Sequence, residues 1–307
     1  MTTLAPLPAG AARHVVYLGT PDAAVPPLRA LVAAGVDVPL VITRVDKRRG
    51  RGSATSPSPV KQAALELGLR VSHQLADATT VGADLGVVVA YGRIIPVGVL
   101  AELPMINVHF SLLPRWRGAA PVERALLAGD ATTGVCIMRV EEGLDTGAVF
   151  ERVEVPIRES HTLTTLRAEL VEASLAPLLR AVTQGCGSGK AQHGEVVHAA
   201  KIDASELRVR WTASAHDIAA LARLETAWFS FSGKRIRVLR ARAATATDAY
   251  AEPGRVLRVD RDGVLVACGG GAVLLGEVQP EGKSAMSAAA WANGARLAQS
   301  SAPVSLA

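Results

Sequence analysis

Asn107 and His109 stand two residues apart in the stretch INVHFSLLPRWRGAAP, residues 106–121. In a strand, that spacing points both side chains to one face. An asparagine amide can hold a developing oxyanion, and histidine is the side chain best suited to moving a proton near neutral pH. The same pair also fits a strand end whose polar residues tie down the following loop. Asp145 lies in EEGLDTGAVF (141–150), a turn between two expected strands, where Gly143 and Gly147 allow tight backbone geometry and close approach of a ligand. A carboxylate facing an imidazole fixes the ring and favours its charged form. An Asp beside Gly also serves as an ordinary hairpin turn. Spacing alone does not bring Asp145 to His109.

Other stretches invite chemistry less directly. GTPD (19–22) closes the first strand and opens a helix, but it has neither G-x-G-x-x-G nor the lysine of a Walker loop, so no dinucleotide or ATP site is expected there. RVDKRRGRGSATSPSPVK (44–61) sets Arg44, Lys47, Arg48, Arg49 and Arg51 against a single Asp46. A connection that long is usually functional or disordered, and its cations suit either phosphates or bulk solvent. Trp116, between Arg115 and Arg117, suits stacking or plain packing. No Gly-x-Ser-x-Gly elbow occurs, and no closely spaced His and carboxylate cluster suggests a metal. Cys136, Cys186 and Cys268 are far apart, so neither a disulfide framework nor a zinc knuckle is expected. Cys136 sits in an apolar strand pattern and reads as core.

The elements that must position these residues follow from hydrophobic patterning. HVVYLG (14–19), VDVPLVI (36–42), LGVVVAY (85–91), MINVHF (105–110), TGVCIMRV (133–140) and AVFERVEV (148–155) read as strands. LGVVVAY is continuously apolar, as in a strand buried on both faces. Helical patterns occupy about 23–34, 60–69, 121–128 and 162–184. This alternation implies βαβ units and a mostly parallel sheet covered by helices, with ligands outside the carboxyl ends of the strands. QGCGSGKAQHG (184–194) breaks the pattern with linker chemistry. Beyond it a helix at about 213–223 precedes the short strands KRIRVLRA, GRVLRVD, GVLVACG and GAVLLGEVQ, which suggest a small barrel. The resulting division is a first domain over 1–187, a linker over 188–204 and a second domain over 205–307.

The 307 residues are 49% hydrophobic and 20% charged, enough for well-formed cores and far from the composition of a disordered chain. No basic region precedes the first apolar strand and the apolar runs are short, so neither a signal peptide nor a membrane span is expected, and a reducing cytoplasm fits. The net charge of +5 is unevenly spread. Residues 1–204 hold 20 basic and 19 acidic side chains, whereas residues 205–307 hold 13 and 9. The excess points to anionic partners for the second domain and for the basic loop.

NVH followed by SLLPRWRGAAP, with GLDTG downstream, resembles the methionyl-tRNA formyltransferase family. The resemblance extends over nearly the whole chain, through VVYLGTPD, the GRG loop with PSPVK, VVVAYGRIIP, AAKID (199–203) and PEGKSAMSAAAW. It implies an α/β fold: a Rossmann-like formyltransferase domain with a mostly parallel sheet, then a small OB-like β-barrel domain that binds tRNA. It also implies Asn107, His109 and Asp145 as catalytic residues and Ser111, Leu112, Leu113 and Pro114 as the folate-binding stretch. The co-substrate would be 10-formyltetrahydrofolate and the acceptor methionyl initiator tRNA, with Arg44, Lys47, Arg48, Arg49 and Arg51 reaching the acceptor end. Neither a metal nor a covalent enzyme intermediate is required, and a cytoplasmic monomer without membrane attachment is implied.

Two departures stand out. Phe110 occupies a position where the family often has a small residue, and LETAWFSF (224–231) stands where N-P-W-P is usual, with Trp228 retained. Neither removes a catalytic side chain. The alternatives are a formyltransferase acting on another amine, such as a nucleotide sugar or glycinamide ribonucleotide, and a noncatalytic RNA-binding protein on the same scaffold.

Overall fold

The computed structural model describes residues 3–48, 55–244, 251–297 and 305–306. The chain forms two compact units: Met1–Val122 with Ala131–Ile157 and Arg167–Ala200, and Glu123–Asp130 with Arg158–Leu166 and Lys201–Ala307.

The first unit is built on a seven-stranded sheet. Its strands are β1 (His14–Gly19), β2 (Asp37–Ile42), β3 (Val71–Ser72), β4 (Leu85–Val89), β5 (Met105–His109), β6 (Thr132–Arg139) and β7 (Val149–Pro156). They lie in the order β7-β6-β5-β4-β1-β2-β3. β3 through β5 in that row run parallel, while β6 and β7 are antiparallel to their neighbours. Chain order reverses between β1 and β4, the switch point at which such sheets open a ligand crevice. All five residues of β4 are buried, as its apolar run requires. The strand stops two residues short of the apolar pattern because Ala90 turns to φ 46°. Connecting helices include α1 (Val25–Ala33), α2 (Pro59–Glu66) and α3 (Val97–Glu102). Ser58 caps α2 by accepting from the Lys61 N–H, and Pro59 takes the first helical position, where a missing N–H costs nothing. Helices α4 (Pro121–Leu127) and α5 (Leu163–Thr183) follow.

In the second unit, α6 (Ala215–Ala222) is capped by Ser214 and precedes an antiparallel sheet. The strands are β8 (Trp228–Phe231), β9 (Lys234–Ala244), β10 (Val256–Asp260), β11 (Gly263–Ala267), β12 (Ala272–Pro280) and β13 (Met286–Ser287), in the order β8-β9-β12-β11-β10 with β13 also on β12. β9 turns Ile236 and Val238 inward and Arg235, Arg237 and Arg240 outward, the alternation of a half-buried strand. Register shifts on either side of Arg240 mark bulges that bend it. Phe229 anchors the core, edge-on to Trp211 at 5.5 Å and to Trp291 at 5.6 Å between ring centroids. Trp291 belongs to α7 (Ala288–Gly294).

Patterning does not reveal β8. LETAWFSF folds as a tight turn at Glu225 (φ 59°) followed by a strand that buries Phe229 completely. Nor does it reveal the pairing of the expected linker. Lys190 exchanges both backbone hydrogen bonds with Val149 at 2.8 Å, and His198–Ala199 pairs in parallel with Arg117–Gly118. Among the described residues, no helix is long and apolar enough to cross a membrane.

Candidate functional site

β5 carries Asn107 and His109 to the carboxyl-terminal edge of the sheet, on one face and opposite Met138 and Cys136 of β6. Asn107 is half-buried and His109 is 5% exposed. The chain then turns through Ser111–Arg117. Ser111 is buried and its hydroxyl donates to the Arg115 carbonyl at 2.6 Å. Trp116 takes φ 65° and lies under the Arg115 guanidinium, 4.5 Å from its ring centroid. That turn aims the Trp116 carbonyl back at His109, whose Nε2–H donates to it at 2.9 Å. A carbonyl can only accept, so Nε2 carries a proton in this bond, and in the neutral ring Nδ1 is then the acceptor nitrogen.

Asp145 faces that nitrogen. Its Oδ2 lies 3.6 Å from His109 Nδ1 and accepts the Gly118 N–H at 2.8 Å. The carboxylate is 11% exposed, and its backbone sits at φ 53°. Two glycines are needed here for space. A Cβ on Gly147 would run into the Arg139 carbonyl, and one on Gly118, at φ 124°, would sit 2.8 Å from the Ala199 carbonyl. The fold thus joins Asn107, His109 and Asp145 in one corner, a meeting that sequence spacing does not dictate.

The other expected residues are placed as follows. Leu113 is buried against Cys136, Met138 and Val149, Pro114 is buried, and Leu112 is half-buried. Phe110 is buried beside the corner. Burial pushes the Cys136 thiol up, against smaller opposing effects from the Leu113 backbone and Arg152, which favours its neutral form on the strand opposite His109. Arg44 is half-buried, its Nη1 near Gly92. Lys47 and Arg48 form one side of a short antiparallel ladder with Thr55–Ser56. Below it, Lys61 pairs with Asp46 at 2.7 Å and Thr43 hydrogen-bonds Ser58 at 2.7 Å. Arg49 and Arg51 lie outside the described residues. Among the described residues, no three His, Cys, Asp or Glu side chains gather in a way that could hold a metal.

Two features escape sequence reasoning. Gln192, in the glycine-rich stretch, reaches the Asp145 turn, and nothing in its neighbours signals this. In the second unit, an open cavity of about 660 Å³ is lined by Arg208, Arg210, Trp211, Thr212, Trp228 and Pro253. Trp228 is half-exposed, with the Arg235 guanidinium 3.9 Å and the Arg208 guanidinium 5.7 Å from its ring centroid. The tryptophan retained within LETAWFSF was the available signal for this stack.

Comparison with known proteins extends over both units. Residues 13–182 match the family model described as formyl transferase, and residues 201–296 match that of the formyl transferase C-terminal domain. The chain is 42% identical over 303 residues to the methionyl-tRNA formyltransferase of Thiobacillus denitrificans, covering 92% of this chain and 97% of the relative. Among solved structures, an N-formyltransferase from Helicobacter canadensis in complex with folinic acid and dTDP-3-aminofucose superposes with a TM-score of 0.64 at 15% identity, over 86% of this chain and 98% of that one. HypX from Aquifex aeolicus in complex with tetrahydrofolic acid gives 0.59 at 16% identity over 92% of this chain. The chain spans about half of HypX, 47% of its length.

Proposed function

Because the chain belongs to the methionyl-tRNA formyltransferase family, we propose that it moves the formyl group of 10-formyltetrahydrofolate to the α-amino group of methionine on initiator tRNA, for translation initiation. The observation that carries the chemistry is the corner itself: Asn107 and His109 on one face of β5, with the Asp145 carboxylate 3.6 Å from Nδ1. The neutral amine attacks the formyl carbon, and the carbonyl π electrons move onto oxygen. The Asn107 amide donates to that oxyanion, a placement that stabilises the transition state more than the ground state. His109 is anchored through Nε2 at Trp116, so Nδ1 and the Asp145 carboxylate are the groups that receive the proton lost by the amine. Collapse of the intermediate breaks the bond to N10, and N10 takes up a proton. Hydrogen for formyl is thereby exchanged between the two nitrogens.

The folate partner is supported by the family and by the folate compounds named in the two superposed structures. We assign Ser111–Pro114 to its pocket wall, with the internally bonded turn giving Leu112 and the backbone a fixed surface. The RNA partner is supported by the groove of the second unit. Exposed Arg208 and Arg210 suit phosphates, and the arginine-flanked face of Trp228 suits an unstacked base or a ribose. Arg44, Lys47, Arg48, Arg49 and Arg51 are assigned to the acceptor end of the tRNA. The reaction is placed in the cytoplasm, where charged tRNA and reduced folate meet.

The direct test supplies the purified chain with 10-formyltetrahydrofolate and charged initiator tRNA. Formylmethionyl-tRNA is the expected product. Formyl transfer only to a small amine, such as an amino sugar nucleotide, with charged tRNA ignored, would remove the tRNA assignment.

A further inference from the structure

The segment that patterning marks as a linker supplies a side chain to the catalytic corner. Gln192 Nε2 donates to the carbonyls of Asp145 and Gly147, each at 2.8 Å. Its Oε1 accepts from Arg117 Nε at 3.0 Å and Nη2 at 2.6 Å. The amide orientation is therefore unambiguous, because its nitrogen faces only acceptors and its oxygen only donors. Both lone pairs and both protons of the amide are used, which leaves Gln192 a single arrangement.

The groups on either side of Gln192 are the two halves of the corner. Arg117 follows Trp116, whose carbonyl holds His109, and precedes Gly118, whose N–H holds the Asp145 carboxylate. The Arg117 backbone N–H also donates to the Val197 carbonyl at 2.9 Å, and the Ala119 N–H donates to the Ala199 carbonyl at 2.9 Å. Residues 190–199 thus run as a strap beside the corner, tied to Val149 at one end and to residues 117–119 at the other. Asp145 needs such a tie. It holds φ 53° without being glycine, a left-handed conformation that aspartate tolerates but that remains costlier than the extended or right-handed regions and is held by its surroundings. Two donors on its turn carbonyls provide that hold.

We propose that Gln192, held by Arg117, is the positioning residue of Asp145, setting its carboxylate against His109 Nδ1. This rests on the reading of Asp145 as a catalytic residue. Gln192 touches no reacting atom, so its effect belongs in kcat and passes through Asp145.

A double-mutant cycle in the formyl-transfer assay, on the full chain, tests this. Gln192→Glu keeps an acceptor pair for Arg117 but turns an oxygen towards the Asp145 and Gly147 carbonyls. In the otherwise native chain kcat should fall about 10- to 100-fold, as expected when a reacting group is displaced by an ångström or less. The KM values for folate and tRNA should stay within about twofold, since binding is untouched. In an Asp145→Asn background the same change should cost less than about threefold, because the group it positions is already disabled. Arg117→Lys, which keeps one donor but loses the fork, should give a smaller kcat loss in the same direction and serves if Gln192→Glu does not fold. An unchanged kcat in the folded Gln192→Glu chain overturns the proposal, as does an equal loss in both backgrounds. Full activity of Asp145→Asn alone overturns the reading of Asp145 instead, which separates the two failures.

Discussion

At the end of β5 the polar groups are withdrawn from water, with His109 5% and the Asp145 side chain 11% exposed, and the oriented atoms are held by backbone partners. In the groove of the second unit, Arg208 and Arg210 are exposed, and the organising contact is the face of Trp228. Chemistry on a formyl carbon needs dipoles already aimed at a charge that exists only in the transition state, so burial and fixed tautomers are advantageous. Holding a large polyanion needs cations that counterions can leave, so exposure is advantageous. The same residue types would be poorly used if exchanged between the two places: a buried Arg208 would lose its counterion exchange, and a solvated His109 its fixed tautomer.

The sharpest way to break this contrast is to remove a corner side chain. Asn107→Ala and His109→Ala should each lower kcat by about 10²- to 10³-fold, roughly 3 to 4 kcal/mol of transition-state stabilisation, with little change in KM for tRNA. Steady-state kinetics with tRNA varied at saturating folate separates the two parameters. A loss confined to KM for tRNA would mean that the corner grips rather than reacts, and the distinction between the regions would collapse.

Burial by itself does not confer reactivity, and Cys186 allows that half of the contrast to be sharpened. It lies in the first unit, half-buried, and burial pushes its thiol up to about 11 from an ordinary 9.0. At pH 8 the thiolate fraction falls about 100-fold relative to an unperturbed thiol, and the greater nucleophilicity of a higher-pKa thiolate returns part of this, leaving alkylation roughly tenfold slower. The sign for stability follows from proton binding. The folded chain holds this proton more tightly, so the contribution of Cys186 is complete below pH 9.0 and is lost as pH rises towards about 11. Mass-spectrometric alkylation rates for this one cysteine check the first statement, and rapid labelling at pH 8 would show that burial here is not what governs reactivity.

These tests bear on residues of unequal legibility. The strand carrying Asn107 and His109 could be read because apolar Ile106 and Val108 alternate with the polar pair, and the two-residue spacing encodes direction. Asp145 was visible only as an acid between glycines, since its meeting with His109 depends on β6 and β7 folding back along β5. Gln192 left no mark at all, as a polar residue among glycines matches linker chemistry until the strap is formed. β8 was hidden for another reason: WFSF is too short to show a period, and its burial depends on Trp211 and Trp291 from distant parts of the chain. Local patterns thus disclosed the scaffold and half of the corner, whereas contacts across long sequence separations supplied the rest.

The mildest test lies on the exposed side of the contrast. Arg208→Gln keeps hydrogen-bonding capacity but removes one positive charge from the groove and from the edge of the Trp228 stack. If Arg208 meets one phosphate, the slope of log affinity against log salt should become shallower by about 0.7 to 0.9, and affinity at physiological salt should fall roughly fivefold. Titrating tRNA binding at several salt concentrations gives both values. kcat and the KM for folate should be unchanged, because the proposed chemistry is assigned to the corner of the first unit and not to the groove. A salt slope equal to that of the native chain would show that Arg208 releases no counterion to RNA. The groove would then owe any RNA affinity to the tryptophan face rather than to its charge, which a salt-independent loss of binding in Trp228→Ala would confirm.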